Sequence, residues 1–235
     1  LTVLTGANID RLVINGSRCE GISFSYDGQE QIAIAEKEVL LSAGSIGSVQ
    51  ILERSGVGDE KRLQSLNIPV VKHLPGVGEN LQDHLQIRLV YKVSGLKTLN
   101  MLASRWWGKL LIGLQYVLTR SGPMSMAPSQ LGAFASSSEK VDRPDLEYHV
   151  QPLSLDKFGE PLHPFNAFTA SVCHLRPSSR GSVHINAKEL GAPPIIDPNY
   201  LSTDEDKKVA IEAVEVTRKI MRADAFKTFS PEEYR

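Results

Sequence analysis

The feature that most constrains the fold is a run of small residues, Ser42–Gly58, that joins an apolar segment to a helix. The preceding Val39–Leu41 is continuously apolar, which is typical of a strand covered on both faces. The helix is predicted to end at Ser55-Gly56. Gly44 would let a ligand approach the backbone, where a helix N-terminus offers unpaired N–H groups. The segment therefore indicates either a nucleotide site or a plain crossover from strand to helix.

Composition narrows the class of protein. Of 235 residues, 41% are hydrophobic and 23% are charged, and the net charge is −1, so a globular protein without a nucleic-acid partner is expected. The two cysteines, Cys19 and Cys173, lie far apart and form no CxxC pair. This argues against a disulfide framework or a metal site, and it favours reduced thiols in the cytoplasm. The sequence contains no run of about 18 apolar residues, so no transmembrane segment is predicted.

The first part of the chain is predicted to form short strands followed by helices. Asn15-Gly16 is a strong hairpin signal. A helix is predicted from Ser48 to Arg54, and Asp59 is placed to cap a second one. The predicted strands are Leu1–Leu4, Ile9–Ile14, Gly21–Tyr26, Gln31–Ala35 and Glu38–Leu41.

The rest of the chain predicts an antiparallel sheet with flanking helices. A helical stretch covers Leu99–Thr119, and a longer amphipathic helix covers Thr203–Met221, with Ser202 and Glu205 placed as a capping box. Segments rich in Pro, Ser and Gly separate the strands. These strands are Leu85–Val93, Leu131–Ser136, Leu146–Gln151, Ala167–Leu175 and Ser182–Asn186.

Several stretches of the sequence resemble the glucose-methanol-choline family of flavoenzymes. The run Gly44–Gly58 resembles the second signature of that family and departs from it at Val49. Four further stretches are similar to the family and follow in the expected order: Leu1–Ile9, Leu74–His84, Leu175–Val183 and Ile196–Leu201. On these motifs the chain is identified as a member of the family.

The resemblance implies an FAD-dependent oxidoreductase that transfers hydride from the CH–OH group of a small alcohol to the flavin. The implied fold is α/β. Residues 1–80 would form part of an FAD-binding domain, residues 81–201 an antiparallel-sheet substrate domain, and residues 202–235 the helical start of a C-terminal region. The resemblance places Ile9, Ala43 and Gly44 against the adenosine half of FAD.

The resemblance also implies two residues of the substrate cavity, Gln130 and His149. Choline-specific members carry a glutamate at the position matched by Gln130, so a neutral alcohol suits this chain better. His149 could position the alcohol or be an ordinary sheet histidine; both interpretations stay open. Asp83-His84 could be a base with its orienting carboxylate, although a turn held by local hydrogen bonds is the commoner arrangement.

Two elements that the family chemistry requires are missing from the sequence: an upstream G-x-G-x-x-G motif and a downstream histidine base. We therefore expect a piece of a longer protein that alone neither binds FAD nor oxidises alcohols. A cyanohydrin lyase of the same fold and a non-catalytic binding domain are the alternatives.

The helix that contains Trp106-Trp107 has an apolar face flanked by Arg105 and Lys109. Core packing is the commoner role of such a face. Contact with a membrane surface or with a partner is the alternative.

Overall fold

The computed structural model describes residues 2–127, 129–157 and 159–234. The chain divides into two compact units. The first comprises Leu1–Asp83 with Ser179–Tyr200, and the second comprises His84–Ser178 with Leu201–Arg235. The predicted fold class, a mixed α/β chain with an antiparallel sheet and flanking helices, is confirmed.

The first unit contains three small sheets and two helices. Strands β1 (Asn8–Asn15), β2 (Arg18–Tyr26) and β3 (Gln29–Ile34) form an antiparallel meander, with the predicted turn at Gly16. Asp59 caps the second helix by accepting a hydrogen bond from the Arg62 N–H at 3.0 Å, as predicted. The other elements before residue 84 are α1 (Gly44–Arg54), β4 (Val57–Gly58), α2 (Glu60–Ser65), β5 (Lys72–His73) and β6 (Glu79–Leu81).

Two predicted strands of this unit are wrong. Residues 2–4 and Glu38–Leu41 are not in strands, and Leu1 lies outside the described residues. The Leu40 side chain is 79% exposed. A strand needs a neighbour that satisfies its N–H and C=O groups, and the described chain places no strand beside either segment.

The second unit is built on a five-stranded antiparallel sheet in the order β13-β7-β10-β9-β8. Four of these strands were predicted to within a residue or two. They are β7 (Gln86–Lys92), β8 (Leu131–Ala135), β9 (Leu146–Gln151) and β10 (Ala167–His174); the fifth strand, β13 (Glu232–Glu233), was not predicted. Strand β11 (Gly181–His184), also predicted, joins β6 and β12 (Ile195–Asp197) in the first unit.

The predicted helix Leu99–Thr119 is broken into α3 (Leu99–Leu102) and α4 (Trp106–Thr119). Gly108 allows the break, because a methyl group there would collide with the main-chain oxygen of Leu102. Two short 3-10 helices, Pro123–Ser125 and Asp224–Phe229, complete the unit.

The core of the second unit lies between the sheet and α5 (Asp204–Met221). The helix buries Val209, Ala213 and Met221 against Leu146, Tyr148, Ala170 and Val172 of the sheet. Its N-cap is Thr203, whose hydroxyl accepts from the Asp206 N–H at 3.2 Å, and not the predicted Ser202. Along the described part of the chain, no helix is both long and apolar enough to cross a bilayer.

Candidate functional site

The five-stranded sheet has one apolar and one polar face. Side chains alternate along each strand, so residues that pack on α5 leave their sequence neighbours on the other side. Two rungs of the sheet show this polar side, since Ser171 of β10 lies between Arg88 and His149, and Cys173 lies opposite Glu147. The side of the sheet opposite α5 therefore carries polar side chains, of which Ser171 is buried and His149 is partly exposed.

His149 lies at the centre of this polar face. Its Nε2 atom lies 3.5 Å from the Oε1 atom of Glu147, and a third of its side chain is exposed. The neighbouring Ser171 is fully buried, and its hydroxyl has no hydrogen-bond partner among the described residues. A buried hydroxyl without a partner costs free energy unless a ligand or water satisfies it. The exposed part of the His149 imidazole could exchange a hydrogen bond with a ligand hydroxyl.

Two further donor groups, His84 and Cys173, lie beside Glu147. The ligand atoms of His84, Glu147 and Cys173 lie within 4.8 Å of one another, a set that could hold a divalent cation. The sequence had indicated no metal site. His84 Nε2 also lies 3.0 Å from the Leu175 carbonyl oxygen.

Asp83 and His84 are both engaged in structural hydrogen bonds. The carboxylate of Asp83 accepts from the Tyr200 hydroxyl, and this bond raises the pKa of Tyr200 to about 12. His84 contacts a main-chain oxygen instead. Both partners are distant in the sequence, 117 residues away for Asp83 and 91 for His84, so these are tertiary contacts and not the local turn bonds that the sequence favoured.

An apolar cavity of about 490 Å³ opens within the second unit, on the α5 side of the sheet. Gln130 borders it, and the Gln130 N–H donates to the Val150 carbonyl at 3.0 Å as the chain enters β8. Its apolar lining includes Leu99, Tyr148, Val150, Phe168, Met221 and Phe226. His149 does not line this cavity.

The candidate cofactor residues lie on two elements of the first unit. Ala43 is the N-cap of α1 and makes no capping hydrogen bond through its side chain, and Gly44 follows with φ +75°. Both are exposed, and an added Cβ at Gly44 would meet nothing within 4 Å. The helix N-terminus is therefore open to a ligand.

Ile9 is held to the last turn of the same helix. Its main-chain oxygen accepts from Nη2 of Arg54 at 3.3 Å, and Arg54 Nε donates to the main-chain oxygen of Asp10 at 2.8 Å. The structure thus brings Ala43 and Gly44 together at the start of α1 and links Ile9 to its end.

Sequence reasoning did not single out Glu147, Ser171 or Arg88. One signal was available, because alternation over β7, β9 and β10 places these residues on the same face as His149. A buried carboxylate in the first unit, Glu53, also had no local signal, since its partners His184 and Ile185 lie more than 130 residues away.

Comparison with known proteins gives matches along the whole chain. Two family models, both described as GMC oxidoreductase, match residues 1–86 and 177–234. An oxygen-dependent choline dehydrogenase from Citrobacter koseri is 37% identical over 99% of this chain and 42% of its own length. A protein of the same name from Acinetobacter baumannii is 35% identical over 99% of this chain and 43% of its own. The chain thus spans less than half the length of the curated relatives it matches.

Solved structures share the fold. Pyridoxine 4-oxidase from Mesorbium loti has a TM-score of 0.81 at 24% identity, covering 99% of this chain and 42% of that one. An FAD-dependent oxidoreductase from Chaetomium thermophilum has a TM-score of 0.80 at 21% identity, covering 98% and 46%. A formate oxidase from Aspergillus oryzae has a TM-score of 0.83 at 22% identity, covering 97% and 45%.

Proposed function

The chain belongs to the GMC oxidoreductase family, and from that premise we propose that it is part of an FAD-dependent oxidoreductase acting on the CH–OH group of an alcohol. The observation that carries this proposal is the 37% identity, over 99% of the chain, to a relative named as a choline dehydrogenase. The fold shared with a structure named as an FAD-dependent oxidoreductase supports the cofactor.

The first unit would contribute to the FAD site. Ala43 and Gly44 offer the open N-terminus of α1, whose N–H groups and positive dipole end suit a negatively charged or hydrogen-bonding ligand. Ile9 is tied to that helix through Arg54. When bound, FAD supplies the acceptor for the hydride that leaves the alcohol carbon.

The polar face of the second unit would contribute to alcohol binding. His149 can donate to or accept from a substrate hydroxyl, and Glu147 at 3.5 Å limits how its ring orients. The base that removes the alcohol proton is proposed to be a histidine outside these 235 residues.

Gln130 bears on the choice of substrate. An uncharged amide at position 130 cannot balance the charge of a quaternary ammonium group, as the glutamate of choline-specific members of the family would. We therefore propose a neutral alcohol of modest size, in contrast to the substrate in the names of the curated relatives.

The test is anaerobic titration of the whole protein that contains this chain with candidate alcohols. Loss of the oxidised-flavin absorbance band on adding an alcohol is the expected result. Cleavage of a cyanohydrin without any change in that band would support the lyase alternative instead.

The isolated 235-residue chain is the second arm of this test. We propose that it binds no FAD and oxidises no alcohol, because the motif that holds the FAD pyrophosphate in this family is missing from it. A preparation that retains flavin through gel filtration would overturn this second proposal. A colourless chain that still bound a protein partner would favour the non-catalytic alternative.

A further inference from the structure

Helix α4 presents a wide apolar stripe to solvent. Seven of its fourteen residues are large, apolar and 46% to 76% exposed. Their spacing of one, three and four residues puts them on one side of the helix. They are Trp106, Trp107, Leu110, Leu111, Leu114, Val117 and Leu118.

The opposite side of α4 holds the helix to the rest of its unit. Gly108 is buried against the main chain of Leu102, and Ile112, Gly113 and Tyr116 are only partly exposed. Gly108, Ile112 and Tyr116 are spaced four residues apart, which puts them on the side of the helix away from the stripe. The stripe is thus exposed because α4 packs on the rest of its unit through the opposite side. Core packing, the commoner role expected of this face, is not what the described residues show.

The segment around α4 has a strong positive bias. Residues 93–138 contain four basic residues and no Asp or Glu, although the chain as a whole has a net charge of −1. The basic residues are Lys97, Arg105, Lys109 and Arg120. Arg105 lies over the Trp107 ring at 5.5 Å, so one of these charges sits directly beside the stripe. Apolar and cationic groups together suit an anionic, apolar partner surface.

We propose that α4 docks on the surface of an anionic lipid bilayer, with the stripe (Trp106 to Leu118) in the interface and the basic residues among the headgroups. Fourteen residues make a helix of about 21 Å, shorter than the hydrocarbon core of about 30 Å, so α4 lies on the membrane and does not cross it. Two tryptophans at one end fit the preference of indole for the headgroup region.

Charge favours a bilayer over a second copy of the chain. Two copies that paired through the stripe would bring two sets of basic residues towards each other with no acidic residue of the segment between them. Each basic residue near an anionic membrane instead contributes favourably, and the effect decreases with salt. This inference does not depend on the alcohol chemistry.

Intrinsic fluorescence gives a direct test, because the only two tryptophans of the chain are Trp106 and Trp107. The 235-residue chain is titrated with vesicles of phosphatidylcholine alone or containing about a third phosphatidylglycerol. We expect a blue shift and co-flotation with the anionic vesicles, both reduced at high salt. No shift with anionic vesicles, or the same shift with neutral ones, would overturn the proposal.

Two variants and a matched control locate the contact. Arg105→Gln with Lys109→Gln should weaken the partition coefficient about thirty-fold, and Leu110→Ser with Leu114→Ser should weaken it at least about ten-fold. The control changes two aliphatic residues of β3 that are 62% and 68% exposed, Ile32→Ser with Ile34→Ser, and should bind like the parent chain.

Circular dichroism shows whether each variant is folded. If the leucine variant does not fold, the charge variant alone tests the proposal. Equal loss of binding in the control would contradict the proposal. The proposal would also be contradicted if neither the unsubstituted chain nor the leucine variant bound vesicles, and if ultracentrifugation showed a dimer of the unsubstituted chain that the leucine variant does not form.

Discussion

Nδ1 of His184 lies 2.8 Å from Oε1 of Glu53, whose side chain is fully buried. The other carboxylate oxygen accepts from the Ile185 N–H at 2.7 Å, and His184 Nε2 lies 3.0 Å from Glu79. Glu53 of α1 is thus bonded to His184 of β11, which follows it by 131 residues in the sequence. These contacts join α1 to β11 within the first unit.

Removal of the Glu53 carboxylate is expected to destabilise the first unit. Glu53→Ala leaves a buried N–H and an imidazole nitrogen without partners, and should lower the free energy of unfolding by about 3 kcal/mol. Glu53→Gln keeps one acceptor oxygen and should cost less. Urea denaturation measures both, with the exposed Glu38→Ala as control. Equal stability of Glu53→Ala and Glu38→Ala would contradict the structural role.

Removing the hydroxyl of two buried tyrosines of the sheet should have different effects on the free energy of unfolding. Burial, with the nearby Glu233 charge, raises the pKa of Tyr91 to about 12, and its hydroxyl has no hydrogen-bond partner among the described residues. The Tyr148 hydroxyl lies 3.0 Å from Thr217 Oγ1. Tyr91→Phe should be neutral or stabilising, and Tyr148→Phe should lower the free energy of unfolding by about 1 kcal/mol. Thermal unfolding of the pair tests this, and the reverse order would refute it.

The ion pair between α5 and β13 predicts a pH dependence. Arg218 donates two hydrogen bonds of 2.8 Å to Glu233, which lower the pKa of that carboxyl below its ordinary value of 4.5. The contribution of this ion pair to the free energy of unfolding is therefore fully present above pH 4.5. It is lost as the pH falls through the lower pKa that Glu233 has in the folded chain.

The measurement compares the parent chain with Glu233→Gln. The difference in unfolding free energy should be constant near neutral pH, shrink in acid and shrink with added salt. Glu232→Gln, one residue away on the exposed side of β13, is the control and should show a smaller difference. A difference that grows as the pH falls is the contrary outcome.

The two glycines of α4 should differ when replaced by alanine. Gly113 has nothing within 4 Å of an added Cβ, so Gly113→Ala should stabilise by up to about 1 kcal/mol through helix propensity. Gly108→Ala would push a methyl group into the Leu102 oxygen and should destabilise by about 1–3 kcal/mol. Thermal unfolding compares the two. Stabilisation by both would mean that Leu102 does not approach the helix as described.

The substrate proposal predicts the effect of a charge at position 130. In the whole protein, Gln130→Glu should lower the KM for choline about ten-fold relative to a neutral alcohol of similar size, equivalent to ~1.4 kcal/mol. Steady-state kinetics with both substrates measure this ratio. Gln29→Glu on the exposed β3 makes the same chemical change elsewhere and should leave the ratio unchanged. An unchanged ratio in Gln130→Glu would remove the residue from the substrate argument.

Much of the second unit could be predicted because its signals are local. Alternation over Leu146–Gln151 gave the bounds of β9, and the amphipathic pattern before Met221 gave those of α5 to within a residue. Asp59 was recognised as a cap because its bond is to a residue three positions later. The family motifs are also local, so membership could be recognised without a fold.

Other features could not be predicted because they depend on distant neighbours. Val39–Leu41 has the composition of a buried strand, yet a strand forms only beside another one, and none of the described residues supplies it. The stripe on α4 has the pattern of a core helix, and nothing in that pattern says whether a surface covers it. The resemblance assigned Gln130 and His149 to one substrate cavity, and that assignment stays a prediction; the apolar cavity on the α5 side of the sheet is bordered by Gln130 and not by His149.

The sequence by itself determined the local elements, most of their ends and the family, because turns, caps, periodicity and motifs each depend on residues close together in the chain. Only the tertiary structure decided which residues face each other across the sheet, that β11 returns to bring His184 to Glu53, and that the apolar stripe of α4 is exposed. Those outcomes depend on packing between segments that are far apart in sequence, where no local pattern specifies the partner.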